Sequence, residues 1–258
     1  MRTIALANQK GGTGKTTTAV NLGAALAEKG RRVLLIDLDP QAHLTAHLGI
    51  EDASPTVASV LMGRVQLPNV IRETAVARLD LVPSGLDLAG AEVALAEQVG
   101  RDLVLRRAFV HLPDRYDYVF IDCPPSLGLL TVNALAAVSE LFIPVQLEWL
   151  ALRALSQLLE TVDVVRERLN PDLQITGVIA CMYKARRLLC AQVMEALRDH
   201  FGDLVFETVI RENIRLAEAP SHGLPVTVYD PGARGTEDYR RLALEVMKQE
   251  RGERRQGR

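Results

Sequence analysis

The sequence predicts an α/β fold, a doubly wound and mostly parallel β-sheet flanked by helices. Three short apolar runs support this prediction, at residues 4–7, 33–36 and 119–121. Each run is continuous rather than alternating, which is typical of central parallel strands whose two faces are both covered. Helical periodicity lies between the runs, and strand–helix alternation along the whole length favours the doubly wound arrangement. Ligands of such sheets bind in the crevice at the carboxyl ends of the strands.

The helices and the remaining strands follow in a regular order. Apolar residues repeat at helical spacing over residues 19–26, and Gly30 is typical of a helix end. A long helix is predicted over residues 152–169, and a last amphipathic helix is predicted over residues 239–246. Further strands are predicted at residues 79–82, 141–145, 175–180 and 205–210.

The length and composition indicate one domain. The chain has 258 residues, 48% of them hydrophobic, which is enough to bury a full core without disulfide or metal support. We therefore expect a single domain over residues 1–248. Residues 249–258 contain no apolar side chain, so they are expected to form a flexible basic tail. No membrane association is expected, because the apolar runs are far too short to span a bilayer and the tail has no apolar face.

Cysteine usage and charge exclude several classes of protein. The three cysteines form no CxxC pair, which argues against a disulfide framework or a four-cysteine metal site and favours the cytoplasm. The formal net charge is -2, which argues against a chain coated with basic residues for nucleic acid.

A glycine-rich segment between the first strand and the first helix predicts a phosphate-binding loop. Residues 8–18 read NQKGGTGKTTT. Glycines let backbone N–H groups turn towards a phosphate, and the helix N-terminus adds positive potential. Lys15 is then placed to reach the β- and γ-phosphates, and the Thr16 hydroxyl to bind Mg²⁺. Gln9 occupies the first-glycine position of the usual GxxxxGK[ST] pattern, and an additional lysine, Lys10, precedes the double glycine.

Acidic residues follow two of the predicted central strands. Asp37 and Asp39 end the second strand, and Asp122 ends the strand that contains residues 119–121. An aspartate at such a position, beside a phosphate loop, is suited to hold Mg²⁺ directly or through water. Asp37 and Asp39 alternate along an extended chain and point in opposite directions. One is expected to support the loop or the metal, and the other to orient an attacking water.

These motifs resemble those of the ParA/MinD family. In order and spacing, KGGTGKTT, DLDPQ and IDCPPS are similar to the family's deviant Walker A, Walker A′ and Walker B motifs. The stretches VQLEWLALRALSQLL and IRLAEAPSHGLPVTVYDP resemble the ParA/Soj branch, the chromosome- and plasmid-partitioning ATPases. The resemblance implies a P-loop NTPase domain that binds ATP and Mg²⁺, hydrolyses ATP slowly and forms a nucleotide-sandwich homodimer when ATP is bound.

The resemblance also implies roles for individual residues. Lys10, Lys15 and Asp39 are the implied catalytic residues, with Lys10 crossing to the ATP of the partner subunit. The implied metal-binding residues are Thr16, Asp37 and Asp122. The implied cofactor-binding residues are Lys10, Gly11, Gly12, Thr13, Gly14, Lys15, Thr16, Thr17, Met182, Asn213 and Pro220.

The preferred nucleotide base and the DNA-binding residues follow from the same resemblance. Guanine-binding relatives have an [NT]KxD motif, whereas residues 182–186 contain no aspartate, which favours ATP over GTP. Family members bind DNA non-specifically as ATP dimers, and the corresponding positions are Arg186 and Arg215, with Arg187 beside the first. The alternative for these arginines is a solvated or salt-bridged face. A ParB-like partner that stimulates hydrolysis and a cytoplasmic, nucleoid-associated location are implied as well.

Departures from the family and alternative functions remain. Ala42-His43 stands where many members have Gly-Asn, and Arg211-Glu212-Asn213 where many have Pro-Arg-Asn. His43 and His47 are spaced to chelate a metal if helical, but no third ligand lies nearby in sequence. The alternatives are a ParA-like positioner of a protein cargo, a MinD-like division-site ATPase and a small-molecule ligase of the same fold.

Overall fold

The computed structural model describes residues 1–148, 151–184 and 187–256. In this part of the chain seven strands form one sheet in the order β3-β4-β2-β5-β1-β6-β7. Every neighbouring pair is parallel except β3 with β4, which confirms the predicted fold class. The strands are β1 Arg2–Leu6, β2 Val33–Asp37, β3 Arg72–Glu73, β4 Leu79–Val82, β5 Tyr118–Asp122, β6 Glu140–Gln146 and β7 Gln174–Cys181.

Helices cover both faces of this sheet. Alternate residues of β1 and β5 enter two separate cores, so that Ala5 and Ile121 pack on one face and Ile4 and Phe120 on the other. The described α-helices are α1 Lys15–Glu28, α2 His43–His47, α3 Val57–Leu61, α4 Asp87–Leu95, α5 Val104–Phe109, α6 Leu129–Ala137, α7 Ala151–Arg168, α8 Leu188–Phe201, α9 Ile214–Glu218, α10 Val226–Tyr229 and α11 Arg234–Gln256. Helices α1 and α11 pack in one core, and α6, α7 and α8 pack in the other.

The register of the central strands brings the predicted site together. Strand β5 lies between β1 and β2, and Asp122 is paired with Leu6 on one side and with Asp37 on the other. The loop that follows β1 and the acidic ends of β2 and β5 therefore share the carboxyl edge of the sheet. This is the edge at which ligands of doubly wound sheets bind.

The strand predicted at residues 205–210 is absent from the described structure. Within it, Val205 forms an isolated bridge with Val178 of β7, and the next residue after the segment, Arg211, forms one with Tyr183, beyond the end of β7. Between them, the backbone N–H groups of Glu207 and Thr208 donate to the carboxylate of Glu245 on α11. The side chain takes the place of a strand partner, and apolar periodicity does not reveal such a contact.

The last helix extends into the segment that was predicted to be a tail. Helix α11 continues past residue 248 and ends at Gln256. Gln249 donates to the Thr176 carbonyl (2.9 Å), and Glu250 accepts from Arg31 (2.7 Å) and from the Tyr118 hydroxyl. Polar contacts therefore hold the start of this segment against the amino edge of the sheet, which the absence of apolar residues could not predict. Among the described helices, none is both long enough and apolar enough to cross a membrane.

Candidate nucleotide-binding site

The loop between β1 and α1 has the backbone of a phosphate-binding loop. Gly12 and Gly14 have φ values of +73° and +94°, in the region that favours glycine. A Cβ at Gly14 would also lie 3.4 Å from the Sγ of Cys181, whereas nothing lies within 4 Å of a Cβ at Gly11 or Gly12. One glycine therefore packs the loop against β7, and the other two face open space, where a ligand would approach.

Asn8 fastens this loop to the end of β6. Its Nδ2 donates to the Pro144 carbonyl (2.8 Å), and its Oδ1 accepts from the backbone N–H of Lys10 (3.0 Å). Inside the loop, Lys15 Nζ donates to the carbonyls of Asn8 (3.1 Å) and Lys10 (3.4 Å). Burial lowers the pKa of Lys15, and the nearby Asp122 opposes this shift. The Lys15 ammonium group thus lies inside the loop, where phosphate oxygens can replace the two carbonyls.

Asp122 and Thr16 form a pair that fits Mg²⁺. Thr16 Oγ1 donates to Asp122 Oδ2 at 2.6 Å. The other carboxylate oxygen, Oδ1, is buried and has no hydrogen-bond partner among the described residues. Burial, and then the neighbouring Asp37, raise the pKa of Asp122 well above its usual range. A buried carboxylate oxygen without a partner, beside a threonine hydroxyl, is the hard oxygen donor set that Mg²⁺ prefers.

Both carboxylate oxygens of Asp37 accept hydrogen bonds from groups of the same chain. Its Oδ1 accepts from the Asp39 N–H (3.1 Å), and its Oδ2 accepts from the N–H (2.8 Å) and hydroxyl (2.7 Å) of Thr45. Burial raises the pKa of Asp37 to about 6. Both oxygens hold the turn between β2 and α2, which fits the loop-supporting alternative. The direct metal role of Asp37 stays a prediction.

Asp39 lies in the same turn, after the end of β2. Its carboxylate accepts from the Gln41 N–H (2.9 Å), and its carbonyl accepts from the Ser84 hydroxyl (2.8 Å). Three residues further along the turn, Ala42 has φ +53°, a backbone conformation that favours glycine. This is the position where many family members have glycine, so the departure carries a backbone strain at the start of α2.

A cavity of about 560 Å³ joins these elements. Nine residues predicted from the sequence line it: Gly11, Gly12, Gly14, Lys15, Thr16, Thr17, Asp39, Met182 and Pro220. Five further residues line it that were not assigned to the nucleotide: Gln41, His43, Ala46, His47 and Pro125. Thr13 and Asn213 are not among the lining residues, and Asn213 instead caps α9 by accepting from the Arg215 N–H (2.8 Å). The cofactor-binding roles of the predicted lining residues, and of Thr13 and Asn213, stay predictions.

Lys10 is not among the residues that line this cavity. Its Nζ pairs with Glu148 Oε2 at 2.5 Å and donates to Gln146 Oε1 at 3.4 Å, beyond the end of β6. The two charged side chains are 31% and 47% exposed. Sequence reasoning missed both partners, because 138 positions separate Lys10 from Glu148.

The predicted DNA-binding arginines are only partly described. Arg186 lies outside the described residues. Arg187 is exposed directly before α8. Arg215 is paired with Glu218 (2.7 Å) and Asp230 (3.2 Å), as the salt-bridged alternative predicts. DNA binding by these arginines stays a prediction. For the histidine pair, α2 is helical as the metal alternative requires, but the described residues contain no cluster of three or more metal-ligating side chains.

Comparisons with known proteins agree with this fold. A family described as an AAA domain matches residues 1–175. The chain is 51% identical over 245 residues to the sporulation initiation inhibitor protein Soj of Bacillus subtilis, covering 94% of this chain and 97% of that protein. It is 45% identical over 246 residues to the chromosome-partitioning ATPase Soj of Treponema pallidum, covering 95% and 97%. A solved structure from Mycobacterium smegmatis, titled cobyrinic acid a,c-diamide synthase with an ATP analogue and magnesium, superposes with a TM-score of 0.83 at 37% identity, covering 96% and 95%.

The parallel sheet, the phosphate loop and the Thr16–Asp122 pair together define a P-loop nucleotide-binding ATPase with ATP and Mg²⁺ as cofactors. The chain belongs to the ParA/Soj branch of the ParA/MinD family. The family resemblance in the sequence motifs is thereby confirmed.

Proposed function

We propose that this chain is a DNA-partitioning ATPase that dimerises on binding ATP, binds DNA non-specifically in that state and is stimulated by a ParB-like partner. The observation that carries this proposal is the position of Lys10. Its ammonium group lies outside the nucleotide cavity of its own subunit, on an exposed ion pair with Glu148. A cation in this position is available to the phosphates of a second subunit, which supports a nucleotide-sandwich homodimer.

Within one subunit, the site residues have distinct tasks. Lys15 and the loop N–H groups bind the phosphates, and Thr16 with Asp122 holds Mg²⁺, which neutralises charge on the β- and γ-phosphates when bound. Asp39 orients the attacking water. Lys10 of the partner subunit stabilises the charge that develops during phosphoryl transfer. Because this lysine enters only on dimerisation, the isolated subunit hydrolyses ATP slowly.

DNA binding follows the same dimerisation. The chain has a formal net charge of -2, so a single subunit has no general attraction for DNA. Arg186, Arg187 and Arg215, assigned from the sequence resemblance, contact DNA phosphates, their number doubles when two subunits join, and phosphate contacts of this kind are non-specific. Arg215 must exchange Glu218 and Asp230 for DNA phosphates, which further weakens binding by the monomer.

The first test is the oligomeric state with ATP, ADP or no nucleotide, measured by light scattering. We expect a dimer with ATP only, which accumulates in Asp39→Ala because hydrolysis is blocked. A monomeric Asp39→Ala protein with saturating ATP would refute the sandwich mechanism.

The second test separates DNA binding from dimerisation. Arg215→Glu is expected to lose ATP-dependent DNA retention while its ATP dimer persists. Arg64→Glu is a matched control, because Arg64 is also exposed but lies in the loop after α3. Equal retention by both variants at low salt would contradict the assignment.

The third test concerns the partner. A full-length ParB-like protein is expected to raise the ATPase rate of the DNA-bound dimer, through a short basic peptide that inserts near the dimer interface. An unchanged rate would favour a ParA-like positioner of a protein cargo. A MinD-like role would show as ATP-dependent binding to vesicles instead of DNA.

A further inference from the structure

Ser84 lies between the end of β4, at Val82, and the start of α4, at Asp87. The residue is only 1% exposed. Strand β4 is the parallel neighbour of β2, so the segments that leave these two strands meet at the carboxyl edge of the sheet. Ser84 therefore reaches the turn after β2, which contains Asp39.

Four buried residues at this place form a closed ring of hydrogen bonds, namely Asp37, Asp39, Thr45 and Ser84. The Ser84 hydroxyl donates to the Asp39 carbonyl (2.8 Å), and the Ser84 N–H donates to Thr45 Oγ1 (2.9 Å). Thr45 Oγ1 donates in turn to Asp37 Oδ2 (2.7 Å), and Asp37 Oδ1 accepts from the Asp39 N–H (3.1 Å). The ring thus holds both the N–H and the carbonyl of Asp39.

Ser84 is the member of this ring that belongs to another strand. Asp37, Asp39 and Thr45 all lie on the segment from β2 to α2, so the hydrogen bonds among them shape the turn without fixing it to β4. The Asp39 carbonyl also accepts from the Ala42 N–H (2.9 Å), which likewise closes the turn on itself. The two hydrogen bonds of Ser84 therefore fix the turn against the end of β4, and its hydroxyl acts directly on the Asp39 peptide.

We propose that Ser84 is a positioning residue for Asp39, which it holds in the orientation needed to direct the attacking water. This inference rests on the role of Asp39 stated under the proposed function. Asp39 lines the nucleotide cavity, and Ser84 does not. Loss of the Ser84 hydroxyl should therefore slow hydrolysis, because a small displacement of a positioned group costs rate, and should leave ATP binding unchanged.

The test measures the single-turnover rate of hydrolysis at saturating ATP, the affinity for ATP and the lifetime of the ATP dimer. Ser84→Ala keeps the backbone N–H and the turn but lacks the hydroxyl. Its hydrolysis rate should fall about 2- to 10-fold, the range of one neutral hydrogen bond, with an unchanged affinity for ATP. Its ATP dimer should last longer by the same factor, since hydrolysis ends the dimer, whereas a general loss of stability would not prolong it.

Two further positions supply the comparison variants. Thr45→Val lacks the hydroxyl that joins Ser84 to Asp37 and should also slow hydrolysis, whereas Thr45→Ser retains this hydroxyl and should not. Thr74→Val is the matched control at the opposite end of β4, because Thr74 Oγ1 donates to the carbonyl of Leu79, the first residue of that strand (2.6 Å). This variant loses the same kind of hydrogen bond and should change none of the three measurements.

The outcomes separate this inference from the proposed function. A Ser84→Ala protein that hydrolyses ATP at the wild-type rate, while Asp39→Ala does not, overturns the inference alone. Equal losses in Ser84→Ala and Thr74→Val, or a matching fall in the affinity for ATP, also overturn it, because the effect would then be general. If Asp39→Ala hydrolyses ATP like the wild type, the proposed role of Asp39 is refuted, and the inference with it.

Discussion

Replacing Glu148 by glutamine removes the carboxylate that holds Lys10 in the single subunit. The pair is short, at 2.5 Å, but its side chains are 31% and 47% exposed, and exposed ion pairs of this kind contribute about 0.2–1 kcal/mol. A sandwich dimer must break two such pairs, at a total cost of about 0.4–2 kcal/mol. Because about 1.4 kcal/mol corresponds to a tenfold change in affinity, Glu148→Gln should tighten the ATP dimer about 2- to 30-fold.

This prediction is measured by sedimentation equilibrium in the Asp39→Ala background with saturating ATP. Glu212→Gln is the matched control, since Glu212 pairs with Lys184 at 2.7 Å with 60% and 31% exposure. Neither residue belongs to the phosphate loop or lines the cavity. We expect the control to leave the dimer constant unchanged. A Glu148→Gln dimer that is weaker than the parent, or equal to it, would refute the reasoning that Lys10 leaves Glu148 on dimerisation.

Three further predictions concern stability without nucleotide. Gly14→Ala should lower the free energy of unfolding by about 1–2 kcal/mol because of its left-handed backbone, whereas Gly11→Ala should not, and urea titrations of both would show this. The folded chain binds a proton at His47 more weakly than the unfolded chain, since burial lowers this pKa from 6.5 to about 4. Acid therefore favours unfolding, and between pH 6.5 and pH 4 the free energy of unfolding of the wild type should fall by about 3 kcal/mol more than that of His47→Asn. Parallel curves of unfolding free energy against pH for the two proteins would contradict this. Truncation after residue 248 removes the hydrogen bonds of Gln249 and Glu250. It should lower the free energy of unfolding by about 1–3 kcal/mol and lower the melting temperature with it. An unchanged melting temperature would show that these contacts contribute nothing.

Local patterns were sufficient for much of the site. The phosphate loop is one continuous segment, so its glycines, Lys15 and Thr16 could be recognised without any tertiary contact. The acidic residue Asp122 could be placed beside it because an unbroken apolar run marks a central strand, and the carboxyl ends of parallel strands share one edge. The structure brings Thr16 and Asp122 within hydrogen-bond distance, at 2.6 Å.

Other features depended on contacts between distant residues. Glu148 decides where the Lys10 ammonium group lies, because the two side chains form an ion pair. Thr45 donates a hydrogen bond to the Asp37 carboxylate and so engages one of its oxygens. In both cases the sequence does not show that these two side chains meet, because the contact depends on how the elements pack. The segment at 205–210 does not form the predicted strand for a similar reason, because the Glu245 carboxylate of α11 binds the N–H groups of Glu207 and Thr208.

By itself, the sequence determined the fold class, the family and the place of the phosphates, because apolar periodicity and glycine spacing act over short stretches of chain. Only the tertiary structure decided which polar atoms remain without a partner. Asp122 Oδ1 and His47 Nε2 are buried and have no hydrogen-bond partner among the described residues, and burial is a property of packing between elements that lie far apart in sequence. The buried oxygen of Asp122 distinguishes the proposed metal site from an ordinary polar turn.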